Sequence, residues 1–267
     1  MPDDPVGPRR ATGGFSWSEG EIRDEVMTAM RRAFVPLDEM RIIERPDWVK
    51  LVTPSFRRGG LNEIAFAALD AGEADRVIEE TIAEYRQLGI QFRWLVVPGS
   101  KPDDLAERLE RHGLRKSAAR AMYASTLLRV SATQEVEEVN EQSLRDFTRV
   151  TASGWGQDEA PLERYHRAVL NDPERRQRLF LVRVGNEPAA VGAYMTFERS
   201  AYLLGAVVLP DYRGRGLYRA LIEARLQHAA SRGLTLATTH ARAETSAPML
   251  EHFGFSTIWE FSVFRSP

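Results

Sequence analysis

Residues 210–218 read Pro-Asp-Tyr-Arg-Gly-Arg-Gly-Leu-Tyr, between an apolar run that ends at Leu209 and a stretch with helical spacing. A helix starting near Gly216 leaves the amides of its first turn unpaired and carries a partial positive charge there. Phosphate groups bind such ends. Gly214 and Gly216 let phosphate oxygens approach the backbone, and Arg213 and Arg215 add charge-assisted, bidentate hydrogen bonds. The pattern therefore fits a diphosphate. No Walker Lys-Ser/Thr pair and no Gly-x-Gly-x-x-Gly occur, so neither nucleotide hydrolysis nor dinucleotide binding is expected. A plain strand–helix turn with solvated arginines is the bland alternative.

Other candidates for chemistry are sparse. His240 lies two residues after Thr238 on an apolar run, so a strand places both on one face. An imidazole, with an ordinary pKa of about 6.5, suits a general base; capping of the strand end is its alternative role. Ser246 and Tyr218 are candidate acids. Trp155, between Gly154 and Gly156, reads as a lid in a mobile loop over residues 151–161, or as a packing anchor. No paired metal-ligand spacing and no Gly-x-Ser-x-Gly elbow are present, so no metal and no hydrolase are expected.

The elements that must position these residues follow from periodicity. The chain has 267 residues, comfortable for two domains. Lys and Arg number 36 against 38 Asp and Glu, for a net charge of −2, which disfavours nucleic acid as a partner. Cysteine is absent, which excludes disulfides and thiolate sites and fits a cytoplasmic protein. No apolar run approaches the ~20 residues of a membrane span, and the first residues lack signal-peptide character. Residues 1–20, rich in Pro, Gly and charge, read as a flexible tail. Helices are predicted over 21–34, 74–88 and 102–113, with strands at 48–53, 63–69, 92–98 and 119–128. From about residue 130 the grammar restarts. Strands are predicted at 134–139, 178–184, 188–197, 200–210, 234–241 and 255–264, and helices at 142–152, 162–170, 216–230 and 246–253. Each half ends as strand, helix, glycine and strand, the glycines being Gly113 and Gly254. This predicts a mixed α/β fold (α+β, with a mixed sheet) built from two copies of one domain.

The stretch Val208-Leu209-Pro210-Asp211-Tyr212-Arg213-Gly214-Arg215-Gly216-Leu217 resembles the acetyl-CoA motif of the GNAT superfamily of N-acyltransferases, and Leu250-Glu251-His252-Phe253-Gly254-Phe255 resembles that family's closing motif. The resemblance is strong over the second half and covers the first only in outline, like the tandem members of the superfamily with a degenerate N-terminal copy. It implies two tandem GNAT-like acyl-CoA N-acyltransferase domains, 21–130 and 131–267, after the 1–20 tail. It further implies acetyl-CoA as acyl donor, with its pantetheine arm on the backbone of Ala206, Val207 and Val208. The diphosphate would rest on the amides of Arg213, Gly214, Arg215, Gly216, Leu217 and Tyr218. The thioester would lie where the strands at 200–210 and 234–241 splay, with the oxyanion near the Val208 amide, and Trp155 would border the acceptor. The acceptor would be a small-molecule amine or a peptide N-terminus, attacking directly. Departures from the family pattern are Tyr218 where Gly or Ala is usual, Leu250 at the Tyr position, Ala243 at the Asn position and Thr238 at the Glu position. The missing acid and base leave a non-catalytic acyl-CoA sensor as the alternative. The first half lacks the Arg-Gly loop, so one donor per chain is expected.

Overall fold

The computed structural model describes residues 16–267. The first half runs α1 (Glu19–Arg32), β1 (Arg41–Arg45), β2 (Trp48–Val52), β3 (Glu63–Ala67), α2 (Ala74–Leu88), β4 (Arg93–Val96), α3 (Leu105–Arg111) and β5 (Arg115–Ser125). The second runs β6 (Glu137–Glu138), α4 (Leu144–Trp155), α5 (Glu159–Asn171), β7 (Gln177–Val184), β8 (Glu187–Thr196), β9 (Ser200–Val208), a 3-10 turn (Pro210–Tyr212), α6 (Leu217–Ser231), β10 (Leu236–Arg242), α7 (Ser246–His252) and β11 (Ser256–Arg265). The expected mixed α/β architecture holds. Boundaries move at several elements: the strand expected at 119–128 runs Arg115–Ser125, and the helix expected at 142–152 runs Leu144–Trp155. Residues 1–15 of the expected tail lie outside the described residues, but Trp17 to Gly20 are part of the packed structure. The Trp17 indole donates to Thr235 Oγ1 at 2.9 Å, and Ser18 caps α1 in a capping box with Glu21. The strand expected at 134–139 shortens to the two residues of β6. β1, with the sequence Arg-Ile-Ile-Glu-Arg, lacks both alternation and burial and was not predicted.

All eleven strands join one sheet in the order β1-β2-β3-β4-β11-β5-β10-β9-β8-β7-β6. The two halves interlock in its middle. β11 inserts between β4 and β5, while β5 sits between β11 and β10, every one of these pairings being antiparallel. Each half thus donates its last strand to complete the other's sheet. This exchange follows from the repeated strand–helix–glycine–strand ending. Gly113 and Gly254 both adopt positive φ (86° and 101°) after their helices, which sends each final strand back along the sheet.

Alternation along the strands builds a core on each face. On one face α6 and α7 cover Phe180, Tyr194, Leu203, Met122 and Ala237, and α2 and α3 cover Ile64, Trp94 and Phe264. On the other, α1 covers Ala121, Leu236 and Phe261, and α4 and α5 cover Leu179, Val191 and Val207. Phe264 belongs to the last strand of the chain yet is fully buried among first-half residues. Phe264→Ala is therefore expected to lower the unfolding free energy by about 3–5 kcal/mol, in one cooperative urea transition that carries both halves. Separate transitions for the two halves would contradict the interlock.

Candidate functional site

β9 and β10 run parallel only as far as the Leu203–Thr239 pair. Beyond it, β9 keeps its pairing with β8 through a bulge: Ala193 opposes Leu204, but Val191 opposes Val207. Gly205, at φ 64°, makes the bend. The Leu209 amide donates to Ala189 O on β8 at 3.0 Å, so alternation turns the amide and carbonyl of Val208 to the unpaired edge. A cleft of about 800 Å³ opens there, lined by this edge, the start of α6 and residues of α7.

At the head of the cleft the chain enters α6 through two left-handed glycines, Gly214 (φ 75°) and Gly216 (φ 77°). Gly216 is the N-cap, and no side chain caps the helix; its first turn holds no acid. The earliest helical bond runs from the Ala220 amide to Gly216 O at 3.0 Å. Among the described residues, the amides of residues 214–219 have no backbone acceptor, which is the arrangement that holds an anion. One member of the expected set differs. The Arg213 amide is bonded to Pro210 O at 3.2 Å, closing the 3-10 turn, so Arg213 offers its side chain only. Its guanidinium reaches Val208 O at 3.4 Å, and Arg215 contacts Asp211 O and the Tyr212 ring. The first half is built differently at the matching place. Before α2, Asp70 accepts the Gly72 amide at 2.8 Å, and Asp75 stands in the first turn of the helix. Carboxylates there oppose a phosphate.

The residue that sequence reasoning missed is Arg225. It sits in the apolar stripe of α6 and is 1% exposed. Its Nε donates to Leu221 O at 2.8 Å, and Nη1 to Ala193 O at 3.0 Å and Leu204 O at 3.4 Å, the two carbonyls flanking the bulge. Gly192 makes room for it: a Cβ there would stand 3.2 Å from the guanidinium carbon. Nη2 is buried without a partner, and burial lowers the pKa of Arg225 to about 10, leaving it charged at neutral pH. The guanidinium fills the gap that the bulge opens and satisfies carbonyls that β8–β9 pairing abandons. An arginine at i+3 and i−1 to Ile222 and Leu226 was the available signal.

Tyr218 is the second residue of α6. It turns inward to pack on the α6 face, 6.3 Å from the Phe253 ring, and burial raises its pKa, so its hydroxyl stays protonated beside the cleft. Ser246 also lines the cleft, but its Oγ accepts the Arg242 amide at 2.9 Å, a structural bond at the start of α7. Trp155 departs from the loop expectation. It is the last residue of α4, 43% exposed, with the Arg242 guanidinium over its ring at 5.2 Å. Gly154 serves packing rather than mobility, since a Cβ there would lie 2.1 Å from Val207 Cγ1.

His240 shares the face of Thr238, as alternation requires, and points away from α6. Its Nδ1 lies 3.0 Å from the Tyr202 hydroxyl, its ring stands edge-on to Phe261, and Nε2 is buried with no partner. Desolvation, then the Arg93 charge, pushes its pKa down to about 3. The imidazole is neutral throughout the physiological range, rather than poised near pH 6.5. It stands where the cleft meets a second cavity of about 730 Å³. The two share Trp155, Leu203, Leu204, Gly205, His240 and Arg242. The second cavity is walled by both halves of the chain, with Glu63, Arg93 and Tyr202 among its polar residues. Among the described residues no cluster of His, Asp and Glu suits a metal ion, and no helix is long and apolar enough to cross a membrane.

With this geometry in view, residues 136–255 match the family model described as Acetyltransferase (GNAT) family. No curated protein matches the sequence. Solved structures similar in fold include a functionally unknown conserved protein from Staphylococcus epidermidis ATCC 12228, with a TM-score of 0.66 and 11% identity over 87% of this chain and 95% of that one. A GCN5-related N-acetyltransferase from Kribbella flavida gives 0.63 and 16% identity over 95% and 97% of the two chains. A tandem GNAT protein from the clavulanic acid biosynthesis pathway gives 0.54 and 13% identity over 98% and 90%. Residues 136–255 are therefore a domain of the GNAT acetyltransferase family, and the chain as a whole shares its fold with GNAT proteins, a tandem one among them.

Proposed function

We propose that the protein transfers an acyl group, acetyl in the first instance, from coenzyme A to an amine. The observation that carries this reading is the run of free amides at residues 214–219, opening onto the unpaired edge of β9. The cradle fits a diphosphate by charge and by its lack of side chains at Gly214 and Gly216. The edge of β9 at Ala206 and Val208 offers amides and carbonyls to the amide-bearing pantetheine arm, with Val207 bonded to β8 between them. When bound, the thioester supplies an acyl carbon open to attack.

The residues of the chain then have distinct tasks. The amine enters from the second cavity and meets the thioester at the shared wall beside His240. Its nitrogen lone pair forms the new C–N bond, the Val208 amide donates to the oxyanion, and the C–S bond breaks. Tyr218, protonated and beside the cleft, gives its proton to the leaving thiolate. The amine proton leaves to solvent, and a proton from solvent restores the Tyr218 hydroxyl. A pKa near 3 makes His240 a weak proton sink, so its principal service is as a neutral acceptor that orients the uncharged amine. The first half supplies a wall of the acceptor cavity and no second donor site.

The direct test is release of free thiol from acetyl-CoA with a library of amines. Turnover with at least one amine is expected; saturable binding of acetyl-CoA without thiol release from any amine would favour a sensor. Gly214→Ala, which forces a side chain onto a left-handed backbone at the cradle, is expected to raise KM for acetyl-CoA about tenfold. It should leave the rate with acetylpantetheine, which has no diphosphate, unchanged; an equal loss with both donors would contradict the cradle. The pH profile gives an independent check. Because His240 is already neutral above about pH 3, kcat/KM should rise with pH along the titration of the acceptor ammonium alone. A limb near pH 6.5 that vanishes in His240→Gln would overturn this role.

A further inference from the structure

The second cavity carries a charge pattern that the transfer reaction does not require. Glu63, Arg93, Arg265 and Arg115 are successive register partners across β3, β4, β11 and β5. Partners in register project from the same face, and all four residues line the cavity. The row therefore sets three guanidinium groups against one carboxylate. Like charges directly opposite on neighbouring strands destabilise a sheet, so the fold holds them together at a cost.

Only Arg93 has an ionic partner, with Nη2 at 2.6 Å from Glu63, and its Nε is buried without an acceptor. Arg265 rests on Ser117 Oγ at 2.8 Å, and Arg242 lies over Trp155. Neither of them, nor Arg115, forms an ion pair among the described residues. Burial, then repulsion from Arg93 and Arg242, lowers the pKa of Arg265. Converging guanidiniums short of anions, in a cavity, are a recognition surface for a carboxylate or phosphate.

The placement also fixes a length. His240 opposes Ala121 on β5, and Arg115 lies six residues further along that strand, a backbone span of about 20 Å at ~3.3 Å per residue, part of which the long arginine side chains bridge. His240 is the end of that span beside the donor cleft. We infer that the acceptor is an elongated amine whose far end carries a carboxylate, the amine lying beside His240 and the carboxylate on the row of Arg93, Arg265 and Arg115. This rests on the transferase reading and names the acceptor class for it. Polyamines and polycationic amino sugars are excluded by the same charges.

The test uses the full chain and a ladder of ω-amino carboxylates from β-alanine to aminododecanoate, each beside its alkylamine, diamine, methyl ester and aminoalkyl phosphate of equal length. The longer carboxylates should exceed the matched alkylamine and methyl ester in kcat/KM by about tenfold or more, with the diamine poorest. Arg265→Gln should abolish that advantage through KM while the alkylamine rate stays the same. A diamine or alkylamine equal to the carboxylate, or an advantage that survives Arg265→Gln, would overturn the inference; a preference for the phosphate would overturn the carboxylate assignment. The ester comparison on the unaltered protein decides the matter should Arg265→Gln fail to fold. Calorimetric binding of the N-acetyl ω-amino carboxylates separates the two readings. If no amine releases thiol, the transferase reading fails, yet binding lost in Arg265→Gln still upholds the anion site, and no binding at all overturns it.

Discussion

The parting of β9 from β10 beyond Leu203 and Thr239 is the constraint on which the rest of the site depends. A strand edge inside a sheet cannot stay unpaired without compensation, because buried amides and carbonyls demand partners. The compensation here is local. The bulge at Gly205 redirects part of the edge, and Arg225 reaches from α6 to hold the carbonyls of Ala193 and Leu204. What is left over, at Ala206, Val208 and the first turn of α6, opens into a cleft. The same helix that covers the core on one face thus presents its bare N-terminus to the cleft and anchors the distorted strand beside it.

The interlocked halves give that cleft its counterpart. Because β11 enters the first half's sheet and β5 completes the second's, residues from both halves meet on the face opposite α6. Tyr202 and His240 come from one half, Glu63 and Arg93 from the other, around one cavity. A first half without a phosphate loop then still has a part in the site: it forms the other side of that cavity. Separating the halves would remove β5 from β10 and leave His240 at a bare edge.

Much of this organisation was legible in the sequence, for identifiable reasons. The turn into α6 was readable because glycines at two specific positions of a strand–helix junction favour a left-handed backbone, and Gly214 and Gly216 do adopt it. The parallel endings of the halves announced the repeat, though not that their last strands cross over, since pairing across more than a hundred residues leaves no local trace. Trp155 misled because glycine has two meanings. Gly156 ends a helix in the left-handed region, whereas Gly154 makes room for Val207, and neither marks a mobile loop. His240 was found by alternation, but its protonation is a property of Arg93 and of burial, which the neighbouring sequence does not contain. Arg225 was hidden inside an apolar stripe, where a buried cation makes sense only once the bulge is known. The arginine row was invisible for a similar reason: its members are adjacent only through register between three strands.

The central claim is that free amides at the start of α6 and on the edge of β9 hold coenzyme A. Amide-resolved NMR of the labelled protein, titrated with acetyl-CoA, addresses it directly. The account predicts that the largest shifts and the strongest gain in exchange protection fall on residues 214–219 and on Val208, with residues 70–75 of the first half unmoved. Saturable binding that leaves residues 214–219 unperturbed, or that centres on the turn before α2, would contradict it.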